Sequence, residues 1–183
     1  MKPFKRWLGL LVIPGVLMLA ACGQPATIIG DVDVGYDPTT QEVFVAWQTD
    51  RSTTSQVIYG LNGALSEATP EQRGTQHRHV LTQVEPDQTY EFQILMMGQR
   101  NEFVVAYGGA IDTPSVESPQ WIRVEAGFER AVVSWGKGFG AKMYIIERAE
   151  EGSSDFLPIS TTDGLEYIDE VATGKTYTYR VRS

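Results

Sequence analysis

Side chains with reactive chemistry are scarce in this sequence. Its 183 residues include one cysteine, Cys22, and two histidines, His77 and His79. A single cysteine cannot form an internal disulfide, and two histidines without a second thiol fall short of a typical zinc site. The histidines lie two apart in a predicted strand, so they point to one face, and we expect them to be exposed. Carboxylates could complete a metal site, but none has a spacing that demands it. We therefore predict no metal and no cofactor.

Positive charge is also in short supply. The chain has 15 Lys and Arg against 23 Asp and Glu, and residues 23–113 contain four arginines, no lysine and twelve acidic residues. A phosphate backbone needs a basic patch, so nucleic acid is not an expected partner. The acidic balance is typical of a solvated, self-repelling surface. The alternative is a cation-attracting face around Asp31, Asp33 and Asp37.

Motifs for catalysis are missing as well. The candidate nucleophiles are Ser52, Ser55 and Ser134. None lies in a strand–turn–helix elbow, and we expect no histidine to serve them as a base. Carboxylates pair in the sequence as Asp31 with Asp33 and as Glu150 with Glu151, but acid–base work needs a cleft that shifts their pKa values. The glycine-rich stretch KGFGAK (137–142) precedes a strand, so it offers no helix N-terminus for phosphate. We predict no enzyme and no catalytic residues.

The N-terminus carries a secretory signal. Lys2, Lys5 and Arg6 precede an apolar run from Trp7 to Ala21, the charged and hydrophobic regions of a signal peptide. The run is too short, and polar sequence follows it too closely, for a membrane span to be the better interpretation. The signal peptide is predicted to cover residues 1–21.

The four residues Leu19 to Cys22, LAAC, give this signal a more specific meaning. They resemble the lipobox of bacterial lipoproteins, which implies that Cys22 becomes the acylated, palmitate-bearing N-terminus. The alternative is an ordinary signal with a chance cysteine. Acyl chains would anchor the protein to a membrane through residues 22–26 without spanning it. Gly23 is not the aspartate that retains lipoproteins at the inner membrane of enteric bacteria, which favours an outer-membrane or cell-surface location.

Two similar sets of strands follow the tether. Segments of alternating polarity recur about every ten residues from 27 to 113 and again from 121 to 183, separated by a Pro- and Ser-containing linker at 114–120. Short, evenly spaced strands with turn residues between them predict an all-β fold of two sandwiches. The sets also match in register: Trp47 precedes Tyr90 by 43 residues, and Trp135 precedes Tyr177 by 42.

The first set resembles a fibronectin type III domain. Its LTQVEPDQTY stretch carries Leu81, Val84, Pro86 and Tyr90 at the family's spacing. The resemblance implies that Trp47 is a buried core residue and that the Tyr90 hydroxyl bonds back to upstream backbone, as in a tyrosine corner. These roles are structural, and the family identifies a fold better than an activity.

The second set resembles the same family but departs from it in two ways. It carries Trp135 and Tyr177 as structural residues, with Ala172 and Thr173 where the first set has its proline. Its terminal segment YTYRVR is the sixth strand, and no seventh follows it within these residues. This favours a longer chain that supplies the missing strand after Ser183. The alternative is an open edge that a neighbouring strand completes.

These features predict a non-enzymatic, lipid-anchored protein whose modules act as a spacer or as a binding and adhesion surface for protein or glycan. The candidate recognition loops span residues 48–56, 60–74 and 135–142, since sandwich loops are natural binding positions. A second hypothesis comes from another resemblance. The first unit is similar to the N-terminal sandwich of purple-acid-phosphatase-like proteins, which implies an accessory region of a larger secreted hydrolase such as a metallophosphoesterase.

Overall fold

The computed structural model describes residues 24–183, and that range consists of β-strands, turns and loops. The predicted signal peptide and Cys22 lie outside the described residues. None of the described residues forms a helix that is long and apolar enough to cross a membrane. The twelve strands are β1 (Ile28–Asp37), β2 (Glu42–Leu61), β3 (Ala64–Ala68), β4 (Gln72–Leu81), β5 (Thr89–Met97), β6 (Phe103–Asp112), β7 (Ile122–Gly127), β8 (Arg130–Trp135), β9 (Tyr144–Glu150), β10 (Leu157–Thr162), β11 (Glu166–Glu170) and β12 (Tyr177–Arg182). The predicted all-β class is confirmed.

The first unit is organised around β2, a 20-residue strand that takes part in both of its layers. The first half of β2 pairs with β1 and β4, and the second half pairs with β3 and β5, with β6 beyond β5. The register against β4 shifts between Gln48 and Thr53, which marks the point where β2 passes from one layer to the other. The predicted loop at 48–56 is therefore wrong. The strand continues through this stretch: Thr49 is buried before the three exposed residues 50–52, and Thr53 and Ser55 restore the alternation of buried side chains after them.

Alternation along the strands builds the first core. β2 buries Val43, Val45 and Trp47 in its first half, then Val57 and Tyr59 in its second. Buried residues of the other strands complete this core: Leu81, Tyr90, Phe92, Ile94, Met96 and Ile111. Burying a large apolar side chain contributes roughly 1.5–3 kcal/mol. This cluster therefore supplies most of the favourable free energy of the first unit.

The second unit has two three-stranded sheets, ordered β7–β8–β11 and β10–β9–β12. Within the described residues β12 pairs with β9 alone and forms an edge, whereas its counterpart β5 in the first unit pairs on both sides. This agrees with the predicted six-strand second unit. Its buried apolar cluster is smaller and comprises Val133, Trp135, Tyr144 and Ile146. Every residue of β7 is exposed.

Candidate functional site

The four residues predicted to have structural roles fall into two kinds of environment. Trp47 and Trp135 are 4% and 1% exposed, one in the core of each unit. Tyr90 is buried, and its hydroxyl oxygen accepts a hydrogen bond of 2.9 Å from the backbone N–H of Glu85. Because that bond spans only five residues, it ties the connection before β5 to the strand itself.

Tyr177 is placed differently from Tyr90. It is half-buried, and the guanidinium of Arg148 lies 4.6 Å from its ring centroid. Arg148 also donates a 2.8 Å hydrogen bond to the buried carboxylate of Asp169, which raises the pKa of the arginine. The Tyr179 hydroxyl donates to the same carboxylate at 2.7 Å. The second unit therefore has a charged cluster around Tyr177. At the corresponding place the first unit has a hydrogen bond between the backbone and Tyr90.

The predicted exposure of the two histidines is wrong. His77 and His79 do share one face of β4, but that face is the core, and they are 3% and 0% exposed. Both imidazole rings stack on the indole of Trp47, with centroids 5.0 and 5.2 Å away. The sequence shows two polar side chains on a strand. Their burial depends on hydroxyl partners that are distant along the chain.

His77 takes its tautomer from a neighbouring hydroxyl. Thr49 Oγ1 donates to the Arg51 carbonyl at 2.9 Å, so it accepts from His77 Nε2 at 3.2 Å. With the proton on Nε2, a neutral His77 accepts through Nδ1, which lies 2.7 Å from Ser55 Oγ. The Ser55 hydroxyl is therefore the donor to His77. These proton positions are assigned from the hydrogen-bond network.

The same logic fixes His79. Because Ser55 has already used its hydrogen on the other histidine, its oxygen accepts from His79 Nε2 at 3.0 Å. His79 Nδ1 then accepts from Thr69 Oγ1 at 2.7 Å, while that hydroxyl oxygen accepts from the backbone N–H of Val57 at 3.0 Å. The result is one continuous chain of donors pointing in one direction. In this arrangement each neutral imidazole uses both of its ring nitrogens, one as donor and one as acceptor.

Burial keeps the two rings neutral. It lowers the pKa of His79 to about 4, and the nearby charge that His77 would carry adds to the effect. Burial also lowers the pKa of His77, and the nearby backbone of Gly74 partly offsets this by favouring the charged ring. A proton added to Nδ1 of either ring would oppose the hydroxyl hydrogen that now donates to that nitrogen, from Ser55 for His77 and from Thr69 for His79. The cluster therefore loses stability as the pH falls from 6.5 towards the lowered pKa of His79.

Ser55 and His77 have the separation of a nucleophile and its base. The sequence indicated no histidine that could serve a candidate serine as a base, and it did not reveal that His77 lies beside Ser55. However, Ser55 is completely buried, and β2 and β4 enclose the pair within the core. A substrate carbonyl has no approach to that hydroxyl. The cluster therefore acts as a polar part of the core.

The predicted recognition loop 60–74 is mostly strand. Residues 64–68 form β3, paired with the end of β2, and β4 begins at Gln72. The turn between β2 and β3 is formed by Asn62 and Gly63, both with positive φ. Only this turn and the connection from β3 to β4 remain as surface loops.

The predicted loop 135–142 packs against the first unit. Phe139 is 7% exposed and belongs to the core of β1–β6, where its ring lies edge-on to Tyr36 at 5.1 Å. The Tyr36 hydroxyl donates to Glu117 at 2.7 Å, and the Glu117 N–H donates to the Phe139 carbonyl at 3.0 Å. Burial and the Glu117 carboxylate both raise the pKa of Tyr36. Linker and loop are thereby fixed to one another.

Close backbone approach tightens this contact. A Cβ at Gly138 would lie 1.9 Å from the Glu117 carbonyl oxygen, so the position requires glycine. Gly140 has a φ of +70°, and a Cβ there would lie 2.9 Å from the ring of Pro86. At the rim, Lys142 pairs with Glu85 at 2.9 Å. The two units therefore share a buried, close-packed interface.

The acidic face around Asp31, Asp33 and Asp37 has no grouping for a metal. Within residues 24–183, no three His, Cys, Asp or Glu side chains converge on a common point. Asp37 instead accepts from the Thr39 backbone at 2.8 Å, which lowers its pKa, and lies 3.9 Å from Arg78. The carboxylate of Asp37 is thus engaged in local structure.

The solved structures that resemble this chain include two multidomain segments from chicken. The FN1–FN3 domains of chicken CNTN1 share 14% identity over 87% of this chain and 62% of theirs, with a TM-score of 0.35. A two-domain fibronectin type III segment of chicken tenascin shares 17% identity over 84% of this chain and 89% of that segment, with a TM-score of 0.45. This chain spans less than two thirds of the CNTN1 segment. No family model and no curated protein sequence matches it.

The strand pairing itself defines the fold class. In the first unit, β1 and β4 flank one half of β2, and the other half pairs with β3 and β5, followed by β6. The second unit repeats this order through its sixth strand. The chain is therefore a tandem of immunoglobulin-like sandwiches of the fibronectin type III kind.

Proposed function

We propose that this protein is a non-enzymatic, lipid-anchored spacer of the cell envelope, exposed outside the cytoplasmic membrane on the outer membrane or the cell surface. A signal peptide at 1–21 is removed, Cys22 is acylated, and residues 22–26 tether the first sandwich at 27–113. The linker 114–120 joins it to the second sandwich at 121–183. The sandwiches present a surface to a protein or glycan partner.

The observation that carries this proposal is the insertion of Phe139 into the core of the first unit. Two sandwiches joined by a linker move relative to one another unless the interface between them is well packed. Here an aromatic ring, the Glu117 hydrogen bonds and two glycine approaches hold them. A stiff pair of modules transmits position away from an anchor, which is what a spacer requires.

The anchor is tested by metabolic labelling with palmitate and by detergent-phase partitioning of the full chain. We expect label and detergent-phase recovery in the natural chain, and loss of both in Cys22→Ser. The variant Ala21→Gly keeps a small residue before the cut and serves as the matched control. An unlabelled natural chain recovered from the aqueous phase would contradict the proposal.

A further inference from the structure

The tether meets the first sandwich at the end where β2 passes Asp50 and Arg51, called here the tether end. The Thr27 N–H donates to Asp50 at 2.8 Å, the Asp50 N–H donates to the Thr27 carbonyl at 3.0 Å, and Arg51 donates to the Gln24 carbonyl at 3.4 Å. Ala26 between them is buried. Gln24 is therefore held against the bend of β2 around Arg51, and it is two positions away from Cys22 along the chain. Two extended residues reach about 7 Å.

Most of the positive charge of the first unit lies at this same end. Strand pairing places Arg51 in the β2 bend, Arg73 at the start of β4 and Arg100 in the turn between β5 and β6. These are three of the four arginines in residues 24–113, whereas only three of the twelve acidic residues lie beside them: Asp50, Glu71 and Glu102. The tether end is thus balanced in charge on a unit that is strongly acidic elsewhere.

The arginines at this end are available. All three are exposed, and within the described residues Arg73 and Arg100 make no ion pair, while Arg51 pairs with its neighbour Asp50 at 2.9 Å. Arg51 and Arg73 flank a depression of about 470 Å³ whose other walls include Ser52, Thr54 and Asn101. Guanidinium groups bind phosphate through paired hydrogen bonds. The depression is polar and has room for the phosphate of a lipid headgroup.

We propose that this surface, formed by Arg51, Arg73 and Arg100, seats the protein on anionic phospholipid headgroups and sets the spacer upright on the membrane. The inference rests on the proposed anchor at Cys22, since the lipid brings this end to the bilayer. An acidic protein tethered to a negative surface is repelled wherever its acidic face turns inward. The tether end is where that repulsion is replaced by attraction to headgroup phosphates.

The test uses the lipidated full-length product in phosphatidylcholine vesicles with and without phosphatidylglycerol. A fluorophore on Thr75→Cys, an exposed position of β4 beside the register shift of β2 and outside the depression, reports contact with a quencher carried on lipid headgroups. We expect stronger quenching with phosphatidylglycerol, reversed by high salt. The triple variant Arg51→Gln, Arg73→Gln, Arg100→Gln should lose the gain, with a fall of about five-fold in the seated-to-unseated ratio for each arginine removed.

Two further variants make the result specific. The double variant Arg73→Gln, Arg100→Gln leaves the Arg51 contacts to the tether intact and should lose most of the effect. The matched control Arg123→Gln, Arg130→Gln, Lys137→Gln removes the same charge from exposed positions of the second unit and should keep it. An equal loss in that control, or quenching that ignores phosphatidylglycerol, would overturn the inference.

Flotation separates this inference from the anchor. Lipidated chain floats with neutral phosphatidylcholine vesicles whatever its arginines do. If the protein floats but its quenching does not depend on phosphatidylglycerol, only the proposed contact between the tether end and the headgroups is overturned. Chain that stays at the bottom of the gradient overturns the anchor, and the seating with it.

Discussion

Ser55 Oγ lies 2.7 Å from His77 Nδ1, and both side chains are buried in the first sandwich. Ser55 is the central member of the buried hydrogen-bond network, because its hydroxyl donates to His77 and accepts from His79. Such networks stabilise a unique packing only when every member is satisfied.

Replacing Ser55 with alanine should destabilise the first unit by about 3 kcal/mol. The change leaves His77 Nδ1 without a donor and the Nε2 proton of His79 without an acceptor, each in a dry environment. Urea unfolding followed by tryptophan fluorescence measures the loss. Ser134→Ala in β8 removes the same hydroxyl from a half-buried site with no side-chain hydrogen bond among the described residues, so it should change stability by less than about 0.5 kcal/mol. Equal effects of the two variants would contradict a special role for Ser55.

Stability should fall as the pH drops from 6.5 towards 4. The unfolded histidine binds a proton near its ordinary pKa of 6.5, whereas His79 in the folded state does so only near 4. The unfolded state therefore holds more protons in this range, and acid favours it. For His79 alone the loss between pH 7 and pH 4 is about 3 kcal/mol. Denaturant unfolding at a series of pH values gives the slope.

The variant His79→Gln separates this effect from the titration of carboxylates. It removes the titrating group, so it should flatten the slope between pH 6.5 and 4 even if it lowers stability overall. Glu147 acts in a lower window, since its hydrogen bonds to Arg182 and Arg180 hold its pKa at about 2, below the usual 4.5. Its contribution is lost as the pH falls from 4.5 through 2. An unchanged slope in His79→Gln would show that other groups control the acid response.

Much of the fold could be predicted from the sequence because its signal is local. Alternation along β2, β5 and β8 and the spacing of Trp47 to Tyr90 indicated tandem sandwiches. The polar core could not be predicted in this way. Ser55, Thr69 and His79 are separated by ten residues or more, and each is polar, so each resembles a surface residue until its partners are known. The same applies to Phe139, whose glycine-rich surroundings are typical of a free loop.

Phe139→Ala should uncouple the two sandwiches. Removing a ring that is buried in the core of the first unit leaves a cavity beside Tyr36, with an expected loss of about 3 kcal/mol. Small-angle scattering should then show a broader range of overall dimensions, because the interface no longer fixes the angle between units. Phe128→Ala is the matched control, since that ring is 84% exposed and its removal should change neither quantity. A variant that loses stability but keeps the scattering profile would show that the remaining contacts hold the units together.

Tyr90→Phe and Tyr177→Phe should differ, although the two tyrosines occupy corresponding places in the two units. The Tyr90 hydroxyl accepts from the backbone N–H of Glu85 in a part-buried hydrogen bond, so its loss leaves that donor unpaired and should cost about 1 kcal/mol. Among the described residues the Tyr177 hydroxyl has no hydrogen-bond partner, and Arg148 stacks on a ring that phenylalanine retains. Tyr177→Phe should therefore leave stability within about 0.5 kcal/mol of the natural chain. Urea midpoints of the two variants compare them directly, and a loss for Tyr177→Phe as large as that for Tyr90→Phe would mean that the second unit closes its corner through a hydroxyl contact after all.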